Sequence, residues 1–347
     1  MKKLVMTLMA SSVLTANVAL ADTTVYGKIN LSVNQTQVEE GGTDTQDNLE
    51  LVSHASRLGF KGDTEITEAL KAIAKIEYEV SADGDGLKNA VNGEREEIFT
   101  ARNVYVGVEG DWGQFIGGRK DTPLKTLGKK AELFNDYYLG DIKNALEGEN
   151  RVSNMVQYAS PEMAGVKVYA MGVLGEESGV EVKDNPSSPE DESAQNDRNS
   201  VDGFSIVADY SLDNFTVGLG FDSDVDKRDL IRLAANYTFA DSVTLGALVQ
   251  SSEISDEDKY GVADETGYVA SLAWKLDSWK LKVQYAAADI DEDADKDAEK
   301  ISLVLGADYK LAKTTKVYGY FASDEQTDTA GVKEEQSTFG LGLEHKF

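Results

Sequence analysis

The stretch STFGLGLEHKF, Ser337 to Phe347, runs on a two-residue beat. Phe339, Leu341, Leu343, His345 and Phe347 share one parity, and Thr338, Gly340, Gly342, Glu344 and Lys346 share the other. Successive side chains of a strand point to opposite faces, so this is a strand with one mostly apolar and one small or polar face. It stops on its last apolar residue, which predicts that the chain ends where a sheet closes on itself.

The same beat recurs upstream. GFSIVADYSL puts Phe204, Ile206, Ala208, Tyr210 and Leu212 on one face, and FTVGLGF does so with Phe215, Val217, Leu219 and Phe221. GYVASLAWKL and WKLKVQYAA follow the pattern, with aromatic residues near the ends of their apolar faces. Strands of about nine to eleven residues with such girdles suit a tilted crossing of a bilayer. Sixteen can be placed between residues 24 and 347. LDN, ADS and LDS at 212–214, 240–242 and 276–278 read as tight turns, whereas 175–202, 222–229, 252–265, 288–300 and 323–336 read as long polar loops. Short turns on one side and long loops on the other predict an all-β, sixteen-stranded antiparallel transmembrane barrel over 22–347. A soluble sandwich also alternates, but sixteen long up-and-down strands are unusual for it. Within hydrocarbon every backbone group must be paired, so the sheet is expected to close, last strand against first.

The first 21 residues, MKKLVMTLMASSVLTANVALA, have two lysines, a short apolar run and the small-x-small triplet Ala19-Leu20-Ala21. They read as a secretory signal peptide, removed on export. The chain carries 62 acidic against 34 basic residues, a formal charge of −28, which argues against a nucleic-acid partner. It has no cysteine, hence no disulfide or thiolate metal site, and four prolines against 31 glycines, as suits strands joined by turns.

TVYGKINLSV, SRLGFKGDTEI, ARNVYVGVEGDWGQFIGGRKDTP, NRVSNMVQYASP and the terminal GLEHKF, in that order and spacing, resemble the general bacterial porins of beta- and gamma-proteobacteria. The resemblance implies a homotrimer of barrels in the bacterial outer membrane, passing small hydrophilic solutes and ions, with a third loop folded into the lumen. It also implies that Phe347 is read by the barrel-assembly machinery. The third loop would be Thr122 to Asn150, and by resemblance its acids Glu132, Asp136 and Asp141 face the opening.

Facing them should stand a basic wall, and parity locates much of it. Leu58 and Phe60 share a face, so Arg57 and Lys61 point inward; the outward Val25, Ile29, Leu31 and Val33 turn Lys28 inward. The apolar face of LKAIAKIEYEV leaves Lys75 and Glu77 in the lumen. A cation facing mid-depth lipid costs roughly 2–4 kcal/mol, which favours the inward choice. That cost also places Arg102 inward, although Val104, Val106 and Val108 share its parity. Arg119 and Arg151 join the wall by resemblance. Bases opposite acids would set up a transverse field that orients water and dipolar solutes and disfavours apolar ones.

Four presumed external segments, 175–202, 252–265, 288–300 and 323–336, hold 27 acids against 6 bases. Such a mouth concentrates cations at low salt, and the prediction is a mild cation preference that salt weakens. It also offers loose contacts, through divalent cations, to lipopolysaccharide phosphates. DIDEDADKDAEK suggests a calcium loop, but neither register from Asp289 or Asp291 supplies both the Gly and the Glu of an EF-hand. His54 and His345, the only histidines, have no Ser or Asp at a motif spacing, so an enzyme is not expected, nor a cofactor. Glycines 218, 220, 340 and 342 read as small lumenal residues, not phosphate cradles. Two further readings are a barrel serving mainly adhesion or envelope structure, and a substrate-specific porin. The latter would show a ladder of lumenal aromatics, and Tyr26 and Tyr169 form none.

Overall fold

A computed structural model describes residues 22–84, 98–175, 201–255, 263–291 and 297–347, where the alternating segments form seventeen strands. Before the long loop lie β1 (Asp22–Glu40), β2 (Thr43–Ser53), β3 (Arg57–Thr67), β4 (Leu70–Val80), β5 (Phe99–Gly110) and β6 (Gly113–Asp121). After it come β7 (Arg151–Ala159), β8 (Val166–Leu174), β9 (Val201–Leu212), β10 (Phe215–Val225), β11 (Arg228–Phe239) and β12 (Val243–Ile254). The last five are β13 (Asp264–Leu276), β14 (Trp279–Asp291), β15 (Asp297–Ala312), β16 (Thr315–Thr327) and β17 (Lys333–Lys346). The proposed leader, 1–21, lies outside the described residues.

All seventeen belong to one antiparallel sheet that closes. β17 pairs with β1 from Lys346 opposite Lys28 to Glu334 opposite Glu40, and Phe347 and Gly27 exchange backbone hydrogen bonds of 3.0 and 3.1 Å. β2 and β3 are two halves of one barrel strand. β1 pairs with β2 over Leu31 to Glu40 and with β3 over Asp22 to Lys28, so the barrel has sixteen strands and its second is broken at residues 54–56. The break shifts the alternation: the outward residues are odd-numbered in β2 (Leu49, Leu51) and even-numbered in β3 (Phe60).

The faces follow the period-two reading. Phe204, Ile206, Leu219, Phe221, Ile231 and Leu233 are exposed on the outer face, where a bilayer receives them. Val207, Ala234, Leu248 and Val269, on the inward parity of β9, β11, β12 and β13, are buried inside.

Several expected loops prove shorter. The stretch 222–229 is a two-residue hairpin, Asp226-Lys227, both at positive φ, and strands also run into 252–265, 288–300 and 323–336. Polar side chains above the hydrocarbon do not end a strand whose backbone partners remain, whereas hydropathy marks only the part in lipid. At the other end the turns are tight, with Asp213, Asp241 and Asp277 in the left-handed region that hairpin turns require.

Candidate functional site

Between β6 and β7 the chain turns into the barrel. Thr122 opens a short helix, α1 (Pro123–Gly128): its Oγ1 accepts the Lys125 N–H at 3.1 Å, and proline occupies the first turn, where no N–H is needed. Leu124, Leu127, Ala131, Ile142, Ala145 and Leu146 then face the inner wall, and most of them pack against Val207, Ala234, Leu248, Val269, Ala286 and Ala288.

Room for this contact comes from missing side chains. A Cβ on Gly218 would lie 2.6 Å from Leu127 Cδ1, on Gly220 2.7 Å from Leu124 Cδ1, and on Gly267 2.3 Å from Leu146 Cδ2. The inward parity of Gly218 and Gly220 was legible from the sequence; that they form a seat for the loop was not.

Polar wall residues satisfy the loop's backbone. Arg232 of β11, fully buried, donates to the carbonyls of Leu124 (3.1 Å) and Glu147 (2.8 Å) and to Glu149 Oε1 (2.7 Å). It thereby ties both ends of the loop to one strand. Gln284 accepts the Leu133 N–H at 2.7 Å and donates to the Gly140 carbonyl at 2.8 Å. Nothing in the local sequence marks Arg232 or Gln284 apart from other inward polar residues.

At the loop's tip Asp136, in the left-handed region, reaches the opposite wall. Lys28 Nζ lies 3.2 Å from its Oδ2, Arg57 Nη2 is ion-paired to the same oxygen, and Arg102 Nη2 lies 3.3 Å from Oδ1. Burial pushes the Asp136 carboxyl up, but Arg57, Lys28 and Arg102 together outweigh it and hold it well below the usual carboxylate range.

Glu77 is a second hub on that wall. It accepts from Tyr26 Oη (2.7 Å), Arg102 Nε (3.3 Å) and Asn103 Nδ2 (3.3 Å), and pairs with Lys75 Nζ (3.2 Å). Lys75 and Lys61 both lie over the Tyr26 ring, 5.6 and 5.7 Å from its centroid. Lys120 stands over Tyr105 at 5.8 Å and within electrostatic reach of Lys75, Lys129 and Lys167.

Of the acids assigned to the opening, only Asp136 meets the basic wall. Asp141 is buried and caps the 3-10 turn Ile142–Asn144: it accepts the N–H of Lys143 at 3.0 Å and of Asp136 at 2.8 Å. It holds the tip from behind. Glu132 is also buried; its Oε1 accepts the Ile142 N–H at 3.2 Å, while Oε2 has no donor. Burial, with the Asp141 and Glu149 carboxylates nearby, pushes Glu132 well above the usual range. Both acids were assigned to the opening by resemblance, and both are turned into the loop because its backbone needs acceptors there.

Among the bases, Lys28, Arg57 and Arg102 converge on Asp136, and Lys61 and Lys75 line the neighbouring wall. Arg151 sits at the loop's root instead, paired with Asp121 at 2.8 Å. Arg119 departs from the expectation. It pairs across the sheet with Val104, on the parity of the exposed Val106 and Phe115, and donates to the Ala101 carbonyl (3.2 Å) and Ser153 Oγ (2.8 Å). Its neighbour Lys120 takes the inward place.

A closed sixteen-stranded barrel, greasy outside and lined by charges inside, narrowed by its own loop, defines a transmembrane pore of the outer-membrane type. Residues 7–329 match the family profile described as Gram-negative porin, and the chain belongs to that family. It is 26% identical over 342 residues to the major outer membrane protein P.IB of Neisseria meningitidis serogroup B, covering 95% of each chain. Among solved structures it is similar to the anion-selective porin from Comamonas acidovorans, with a TM-score of 0.68 and 19% identity over 94% of this chain and 100% of that one. It is also similar to in-vitro folded OmpT of Vibrio cholerae in its trimer form, with a TM-score of 0.65 and 16% identity, covering 94% and 99%. This chain is thus an outer-membrane channel for passive diffusion of solutes.

Proposed function

We infer that the protein is a general-diffusion porin, a homotrimer whose water-filled channels pass small hydrophilic solutes and ions without a covalent step. The observation that carries this reading is the position of the loop. It lies against one inner wall and is tethered by Asp136 to Lys28, Arg57 and Arg102, so solutes pass beside charged groups. The lysines of β3, β4 and β6, with Glu77 among them, supply the transverse field that favours polar solutes over apolar ones.

Selectivity is set by two opposed charge sets. The segments 175–202, 252–265, 288–300 and 323–336, expected outside the membrane and lying in large part beyond the described residues, carry 27 acids against 6 bases and would concentrate cations, while the lysines of the narrow part favour anions. At low salt the mouth prevails, giving a weak cation preference; screening beyond about 8–10 Å at physiological ionic strength removes it. The acidic rim is also the place for divalent-cation bridges to lipopolysaccharide, and Phe347 for recognition by the assembly machinery.

Single-channel recording of the purified protein in a planar bilayer, with reversal potentials across a salt gradient, tests these points. Conductance steps in threes with a cation-directed reversal potential at low salt are expected. An anion-directed potential at low salt would refute the selectivity reading, and a silent bilayer would favour an adhesive or architectural barrel.

A further inference from the structure

His54 is buried and plays no part in the charge pattern of the pore. It sits in the break of the second barrel strand, and the break is built rather than frayed. The His54 N–H donates to the Asn30 carbonyl at 2.9 Å, the Asn30 N–H donates to Ser56 Oγ at 3.0 Å, and the Val80 N–H to the Ser56 carbonyl at 2.7 Å. Ala55 between them occupies the left-handed region, sparsely populated for a residue with a Cβ. Such a strained position persists only where its surroundings enforce it, and here it aims an imidazole inward at the loop.

The imidazole is held on each side. Nδ1 lies 3.2 Å from the Tyr138 backbone nitrogen, and an N–H facing a ring nitrogen requires that nitrogen to be unprotonated. In the neutral ring the proton therefore resides on Nε2, which donates to Ser32 Oγ at 2.6 Å. The ring stacks on Tyr137 of the loop at 5.0 Å between centroids, and Tyr318 and Tyr320 of β16 meet it edge-on. Tyr137 and Tyr138 directly follow Asp136, so the strand break grips the loop one residue from its ion-paired tip.

We propose that His54 is the positioning residue of the constriction loop, a latch that holds Tyr137-Tyr138 in place as neutral imidazole and lets go when protonated. A proton on Nδ1 would set two N–H donors face to face and remove the bond to Tyr138. The charged and titratable groups around it are Lys28 of β1, Arg57 of β3, Asp83 after β4, Asp136, Tyr137 and Tyr138 of the loop, and Tyr318 and Tyr320 of β16. Asp136 stays charged through mild acid, being held below the usual carboxylate range, so its tether does not share this response. The proposal rests on the channel reading given above.

The test records open-channel noise and closures of the full-length protein in steps from about pH 7.5 to about pH 3, a span that reaches low enough to protonate a buried imidazole. The wild type is expected to grow noisier in acid by at least about fivefold, the equilibrium equivalent of one net hydrogen bond. His54→Gln, whose amide offers an acceptor and a donor but no titration, is expected to stay quiet throughout. His54→Ala is expected to be noisy already at neutral pH. An acid response in His54→Gln equal to that of the wild type, a flat wild type, or a quiet His54→Ala overturns the latch.

A wild type that does not conduct at all would refute the channel reading instead. Hydrogen exchange at the Tyr138 amide then decides the latch. Exchange about fivefold faster in His54→Ala than in wild type and His54→Gln supports it, and equal exchange in all three overturns it.

Discussion

Arg102 reaches the lumen because β5 carries one residue more than its neighbour. Ile76 pairs with Val104 and Tyr78 with Ala101, so Arg102 and Asn103 together oppose Glu77. This bulge lets Arg102 face Glu77 and Asp136 while Val104 and Val106 keep their outward parity, which resolves the conflict in ARNVYVGV. Asp136 is the group these bases serve. Replacing it, Asp136→Asn, leaves Lys28, Arg57 and Arg102 around a neutral amide. The expected result is a weaker loop tether by about 3 kcal/mol and a shift of the reversal potential toward anions, read by thermal unfolding in detergent and by bilayer recording. The pH dependence has a definite sign. Because the folded carboxyl titrates below the unfolded one, its contribution is whole above about pH 4 and is lost only as pH falls further, through the lower folded value. Parity with the cost of a cation in lipid turns Lys28, Arg57, Lys61 and Lys75 inward, and they lie against Asp136 or over the Tyr26 ring. For Arg119 resemblance and parity differ: counting by twos from the outward Phe115 lands on Arg119 and leaves Lys120 inward.

The loop Thr122–Asn150 shows what strand periodicity cannot report. Its inward course was implied only by likeness to other porins. Its fastening depends on residues such as Arg232, Gln284 and Gly220, which alternation marks as inward and nothing more. The apolar lumenal residues Val207, Leu248 and Val269 were a readable hint. An inner wall that met only water would have little use for them, and the loop's leucines and isoleucine cover them. Arg232 is the strongest single fastening. Arg232→Ala removes three bonds to the loop and leaves the buried Glu149 without its partner, at a cost of about 3–5 kcal/mol. A loop released from that wall is expected to appear as faster protease cleavage within 122–150 and as unstable conductance, with the strand signature in circular dichroism unchanged.

For the whole molecule, closure was the most legible feature, since bilayer physics demands it of any strand protein. What hydropathy missed was the length of the outer hairpins; the break at 54–56 is written in the change of outward parity between Leu51 and Phe60. Hydropathy sees lipid contact, not backbone pairing. The seam itself is measurable. Phe347 and Gly27 exchange two backbone hydrogen bonds, and a Cβ on Gly27 would lie 2.5 Å from Phe347 Cζ. Deleting Phe347 is expected to cost about 2 kcal/mol, from two bonds worth about 1 kcal/mol each, when the barrel is refolded from urea into detergent. That assay contains no assembly machinery, so it isolates the seam from any signal the terminal aromatic carries.

The glycine seat under the loop ties two histories together. The partition stands where it does because Gly218, Gly220 and Gly267 leave hollows behind it, so a heavier residue on its back needs a lighter one on the staves, and the reverse. Aperture width therefore drifts only by matched exchanges between segments more than eighty positions apart, made at residues no permeant ever meets.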